Sequence, residues 1–268
     1  MIKAKKRLGQ NFLTSKSIVS LIVSSAEVNQ KDTVLEVGPG KGILTGELLK
    51  YAGKVIAIEK DRDLIDFLKD KFKKEIEVKK LELIQGDALE FDPKPYLIKA
   101  KSYKIVANIP YYITSRLLKT FLETRTQPEK IVLLIQKEVA DRITTKLSNG
   151  HRKESILSIS VKVYGTPKLI KKVPAMFFNP KPKVDSAIIL INDISKKNFT
   201  RPKKIDEKKF FEIVKKGFSS KRKLLKNNLN LPDTECLVKC GIPVDARAER
   251  LSTEDWLCLL KNSTCAEL

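Results

Sequence analysis

Short apolar runs alternate with longer amphipathic stretches through the first two thirds of this chain. A brief apolar run bounded by turn formers reads as a buried strand, and apolar residues spaced three to four apart read as a helix. Strands are predicted over Asp32 to Val37, Lys54 to Ile58, Leu81 to Ile84, Ile105 to Ala107, Lys130 to Ile135 and Ala187 to Ile191. Alternation over Ile156 to Tyr164 predicts one more. Helices are predicted over Ser17 to Ala26 and Ile43 to Tyr51, and through Glu138, Asp141 and Arg142. Another starts at Thr114 or Ser115, either of which suits an N-cap. Lys69 to Lys80, of mixed charge, reads as a solvated helix and turn. Strand and helix taking turns in this way predict an α/β domain with a mostly parallel sheet over residues 1–194, preceded by a basic arm at 1–9.

Near residue 195 the pattern changes. Residues 195–205 are polar and basic and read as a linker, and from Asp206 onward the periodicity is helical. Phe210, Phe211, Val214 and Phe218 fall on one face, Ser219 and Ser220 offer a cap, and Ser252 caps the last helix, with Trp256 in its core. A small all-α domain over 206–268 follows. Before the linker, prolines at 174, 180 and 182 stiffen an extended loop that presents Phe177 and Phe178. Such a ring is either core or a stacking platform for an extruded base.

Charge narrows the partners. Lys and Arg total 53 against 32 Asp and Glu, a net charge of +21, so a polyanion is the favoured partner, with salt-sensitive binding. Lys5, Lys6 and Arg7 in the arm, Lys181 and Lys183 beside the two phenylalanines, and Lys221, Arg222 and Lys223 in the helical region are the candidate phosphate contacts. No apolar run is long enough for a membrane span. No export signal is read, so a cytoplasmic location is expected. The four cysteines, 236, 240, 258 and 265, lack metal-ligand spacing, and the one histidine, His151, reads as a loop residue. Free thiols and no metal are expected.

The chemistry gathers where strands end. Gly38-Pro39-Gly40-Lys41-Gly42 follows the first strand, with Glu36 before it. Ile43 stands where a dinucleotide fingerprint needs its last glycine, and G-x-G-x-G favours S-adenosylmethionine (SAM), which has no pyrophosphate. Glu59, with Lys60 after it, ends the second strand, where an acid accepts ribose hydroxyls. Asp87, followed by Ala88, stands where it could take an adenine amino group. Each acid alone is equally a solvated loop residue. Gln10, Asn11 and Leu13 supply amides and an apolar contact ahead of the first helix. Asn108-Ile109-Pro110-Tyr111-Tyr112 opens where Pro110 breaks a strand. The Asn108 amide oxygen and the Ile109 carbonyl are two acceptors beside the Tyr111 ring, a set suited to an exocyclic amino group on a planar base. Asn and Pro also make ordinary turns.

Together these residues resemble the KsgA-type ribosomal RNA adenine dimethyltransferases, relatives of the Erm resistance enzymes. The likeness spans nearly the whole chain. Gln10-Asn11-Phe12-Leu13, Glu36 to Gly42, Glu59, Gly86-Asp87-Ala88, Asn108-Ile109-Pro110-Tyr111 and Phe178 to Ser186 carry it in the family's order. Phe218 to Lys223 and Ala246 to Ser252 look like KsgA more than Erm. The resemblance implies a Rossmann-like methyltransferase domain holding SAM through Asn11, Leu13, Gly38, Glu59, Asp87 and Asn108, and no metal. It implies a target adenine between Tyr111 and Phe178. It implies dimethylation of N6 on two adjacent adenosines in the 3′-terminal hairpin of 16S rRNA, within a 30S assembly intermediate, by a monomer. Tyr112 departs from the family, which often has Asn there; altered packing with retained activity is expected. The alternatives are an Erm-like 23S rRNA methyltransferase, a DNA adenine methyltransferase and a ribosome-assembly factor acting mainly by binding.

Overall fold

The computed structural model describes residues 4–5, 8–92, 94–97, 102–145, 153–200 and 205–261. The arm residues Lys6 and Arg7, and His151, lie outside them. The chain divides into two compact units, Met1–Ala140 with Pro167–Ile194, and Asp141–Thr166 with Ser195–Leu268. One crossing falls between Ile194 and Ser195. Residues 141–166, expected in the larger domain, group instead with the second unit.

The first unit contains strands β1 (Phe12–Leu13), β2 (Thr33–Val37), β3 (Lys54–Glu59), β4 (Leu81–Gln85), β5 (Tyr103–Asn108), β6 (Lys130–Gln136), β7 (Thr166–Val173), β8 (Phe178–Asn179) and β9 (Ser186–Asn192). A seven-stranded sheet has the order β4-β3-β2-β5-β6-β9-β7. β2 pairs in parallel with both β3 and β5, β3 with β4, and β5 with β6; β9 returns antiparallel to β6. The sheet is mostly parallel, as expected. Its central strands are mostly apolar because both faces are covered, with Glu36 in β2 and Lys104 in β5 as buried charged exceptions. Helix Lys16–Ser25 turns Ile18, Val19, Ile22 and Val23 inward, and helix Ile43–Tyr51 adds Leu44, Leu48 and Leu49, in one cluster with Val34, Val55, Val106 and Val132. From β2 the chain winds one way to β3 and β4, and from β5 the other way to β6. The loops after β2 and β5 therefore flank a switch point, where open α/β sheets bind ligands.

Helix Thr114–Glu123 begins after Ile113 with no side-chain cap; the Thr114 hydroxyl donates to the Tyr111 carbonyl at 3.1 Å instead. β7, hidden in the sequence by Pro167 and its lysines, lies at the sheet edge, where proline and lysine are tolerated.

In the second unit the expected strand over Ile156 to Tyr164 is a helix, Ile156–Lys162. Ser155 starts it with a capping box: its hydroxyl accepts the Ser158 N–H at 3.2 Å, and the Ser158 hydroxyl accepts the Ser155 N–H at 2.7 Å. Asp206 caps helix Glu207–Gly217, which buries Phe210 and Val214. The start of the expected linker is packed, since buried Asn198 donates to the Val163 carbonyl at 2.8 Å and Phe199 meets the rings of Tyr164, Phe210 and Phe211. Ser219 and Ser220 cap nothing: Lys221 to Lys223 form an exposed turn, and the next helix begins at Leu225. Trp256 is fully buried, as expected, and stacks on Phe218. The free thiols are a further correction. Packing of Cys240, at the end of helix Glu235–Lys239, beside helix Thr253–Lys261 brings its Cα within 5.8 Å of that of Cys258, and the two form a disulfide.

Candidate active site

A cleft in the first unit is walled mostly by the carboxyl edge of the sheet and by the strap that precedes it. The cleft has an empty volume of about 850 Å³ including its open mouth. The strap (residues 8–13), the loop after β2, Glu59 and Lys60 after β3, and Asn108 to Tyr112 after β5 line it, together with Phe178.

Left-handed backbone explains Gly38 and Gly40, and close approach adds to it at Gly40. Gly38 has φ +68°, and a Cβ there would stand 3.7 Å from Pro110 Cδ and 3.8 Å from the Asn108 carbonyl oxygen. Gly40 has φ +57°, and a Cβ there would lie 3.0 Å from the Phe12 ring, which sits against the loop with the Lys41 ammonium 4.9 Å from its centroid. The loop is a bare backbone floor under a low roof.

Two carboxyls lie in that floor. Glu59 is buried; its Oε1 accepts the Asp61 N–H at 2.9 Å and its Oε2 the Gly40 N–H at 3.2 Å. Burial raises its pKa, with those amides opposing. Glu36, which sequence reasoning noted only as an acid before the glycines, is 1% exposed, and its Oε2 has no hydrogen-bond partner within the protein. Burial, reinforced by the Glu59 carboxyl, pushes it up to about 8. A buried orphan acceptor beside a floor of glycine backbone fits a ligand that brings its own donors or positive charge, and SAM brings both.

The loop after β5 is arranged as an acceptor site. The ladder with β6 ends at Asn108, opposite Leu134, so the Ile109 carbonyl lies beyond it. Asn108 Nδ2 donates to the Asn11 carbonyl at 3.4 Å, which leaves the amide oxygen as the free acceptor. Tyr111 is fixed by a 2.8 Å hydrogen bond between its hydroxyl and that of Ser186, and burial raises its pKa, so the phenol stays neutral. Ser186, a partner that sequence reasoning missed, belongs to the Val184-Asp185-Ser186 marker. Asp185 steadies the neighbouring loop by accepting the Ala175 N–H at 2.9 Å. Phe178 is a buried member of the core cluster that also lines the cleft, while Phe177, partly buried, packs against the same cluster.

Of the residues predicted to hold a cofactor, Asn11, Leu13, Gly38, Gly40, Glu59, Lys60 and Asn108 converge on the cleft. Gln10 reaches it too, but its side-chain amide is turned to Asp61, donating at 2.9 Å. Asp87 and Ala88 are outside the lining. Asp87 is joined to it through Lys60, whose ammonium lies 2.8 Å away and holds the carboxyl below its usual range. Lys5, expected on phosphate, pairs instead with Asp61 and Asp63 at 2.6 and 2.7 Å. Lys181 and Lys183 are exposed in the loop after β8, and Lys221, Arg222 and Lys223 are exposed in the second unit.

Residues 1–264 match the family described as ribosomal RNA adenine dimethylase. A ribosomal RNA small subunit methyltransferase A of Dehalococcoides mccartyi is 42% identical over 96% of this chain and 88% of its own. Among solved structures, a dimethyladenosine transferase from Plasmodium falciparum superposes with a TM-score of 0.76 and 28% identity, over 93% of this chain and 96% of that one. The 23S rRNA methyltransferase ErmE superposes with a TM-score of 0.73 and 27% identity, over 94% and 98%. The cleft at the switch point and a match over almost the full length lead to one conclusion: the chain belongs to the ribosomal RNA adenine dimethylase family of methyltransferases.

Proposed function

We propose that this protein transfers methyl groups from SAM to N6 of two adjacent adenosines in the 3′-terminal hairpin of 16S rRNA, acting as a cytoplasmic monomer on a 30S assembly intermediate. The observation that carries the reading is the acceptor pair at the switch point, with the Asn108 amide oriented by Asn11 so that its oxygen is free. The small-subunit assignment rests on the relative from Dehalococcoides mccartyi, whose name specifies that subunit.

In this reading Asn11, Leu13, Gly38, Gly40 and Glu59 hold the cofactor, Glu36 lies beneath it, and Lys60 with Asp87 closes its nucleoside end. When bound, SAM supplies a methyl group on a sulfonium, already a strong electrophile. The work left to the chain is orientation. An adenine N6 lone pair is delocalised into its ring and poorly nucleophilic. Asn108 Oδ1 and the Ile109 carbonyl accept the two N–H bonds, which favours a pyramidal nitrogen and turns its lone pair toward the cofactor side. Tyr111 and Phe178 hold the ring plane, restricting the rotation that would lose this alignment. The proton released from the methylated nitrogen passes to water. A second transfer requires the monomethyl product to return with its remaining N–H on one acceptor. Lys181, Lys183 and the basic turn Lys221 to Lys223 supply phosphate contacts.

Asn108→Ala removes one acceptor and leaves the glycine floor untouched. Methyl transfer to unmethylated small subunits should fall by at least about a hundredfold, while SAM binding, measured by calorimetry, is retained in part. Full activity in this variant would contradict the assignment.

A further inference from the structure

We propose that Asp61 is a positioning residue for methyl transfer: it latches the strap of residues 8–14 over the cofactor cleft and, through the strap, holds the backbone that carries Phe178. The proposal rests on the functional reading above. Asp61 lies two residues beyond Glu59, and its side chain is 1% exposed. Its Oδ1 accepts the Lys5 ammonium at 2.6 Å and the Asp63 N–H at 3.1 Å, and its Oδ2 accepts the Gln10 amide at 2.9 Å. Gln10 Oε1 accepts the Lys5 backbone N–H at 2.7 Å, so the three residues close a ring of contacts.

Capping helix Arg62–Lys71 needs only the bond from Asp63, which Asn or Ser would accept equally well. The other two partners are Gln10, in the strap itself, and Lys5, in the arm just before it. Burying a carboxylate is costly unless it is paired, and here Lys5 supplies the charge and the strap's Gln10 the second hydrogen bond.

From this anchor the strap crosses the cleft. Phe12 sits against Gly40, the Asn11 carbonyl accepts the Asn108 amide, and β1 pairs antiparallel with β8, Leu13 opposite Phe178. The Thr14 N–H and hydroxyl both donate to the Phe177 carbonyl, each at 2.9 Å. A few residues thus touch the cofactor floor, the acceptor amide and the clamp ring in turn. One end is tied by β8 and the other by Asp61. Releasing Asp61 leaves the roof hinged at β8, loosening cofactor binding first and alignment second.

The test uses the full chain. Asp61→Asn keeps the helix cap and removes the charge. It should weaken SAM binding by about tenfold, the effect expected for losing a charged hydrogen bond, and speed amide hydrogen exchange across residues 8–14. The melting temperature should move by only a few degrees. Lys5→Met releases the same latch from the other side and should weaken SAM binding in the same direction, with the KM for small subunits unchanged. A phosphate-binding Lys5 would instead raise that KM and leave SAM binding alone. If Asp61→Asn fails to fold, Lys5→Met decides the matter. Unchanged SAM affinity and unchanged exchange in the folded variants would make Asp61 a helix cap only and overturn the proposal. Both readouts are taken without RNA, so a wrong assignment of the RNA target would leave them intact.

Discussion

Glu36 shows at the scale of one residue what the cleft asks of its floor. Its carboxyl is buried with one oxygen unpartnered, and its pKa rises from 4.5 to about 8. The folded chain therefore holds this proton more tightly than the unfolded chain does. In the absence of cofactor, stability falls as pH climbs from 4.5 toward about 8, by an amount on the order of a few kcal/mol. Glu36→Gln, which cannot ionise, should flatten that slope in urea unfolding between pH 5 and pH 8. The same slope in both proteins would show that Glu36 is not the group responsible. Placement in the cleft was legible where a residue type and a strand end coincide, as at Gly38, Glu59 and Asn108 at the ends of β2, β3 and β5. Pairing was not legible where a side chain's partner is distant in sequence. Gln10 reads as a ligand amide until Asp61 is seen beside it, and Ser186 has no evident use until Tyr111 reaches it.

At the scale of elements, period and capping compete. Leu157 to Val163 alternates apolar and polar residues, with β-branched Ile159, Val161 and Val163 among them, which favours a strand. The capping box at Ser155 favours a helix, and the Ser158 hydroxyl, which would face a sheet unsatisfied, donates to the Ser155 carbonyl at 2.9 Å. Local capping and burial prevail over period. Ser155→Ala should therefore cost about 1 kcal/mol of stability and lower the melting temperature by a few degrees. An unchanged melting temperature would mean that the box contributes nothing. β7 fails in the opposite sense, because an edge strand carries the lysines and proline that elsewhere mark a loop. The remaining strands of the large sheet were legible because burial favours short, mostly apolar runs, which little else in a chain this charged resembles.

For the whole molecule, charge and topology point to a common use. A net charge of +21 has little to do with the fold and much to do with the partner. Lys221, Arg222 and Lys223 are exposed and, among the described residues, have no acidic partner. The winding of the chain sets the glycine loop and the acceptor loop side by side, an adjacency readable from strand order. Among the described residues no helix is long and apolar enough to cross a membrane. The grouping of residues 141–166 with the second unit was not readable, because their partners, such as Glu207 for Tyr164 and Glu249 for Glu154, lie far along the chain. What the account claims of the whole protein is a specific target. Unmethylated small subunits and large subunits, each incubated with the purified protein and methyl-labelled SAM, would locate it by digestion and mapping of the label. The account predicts label on N6 of two adjacent adenosines near the 3′ end of 16S rRNA; label confined to 23S rRNA, or label absent from both, would contradict it.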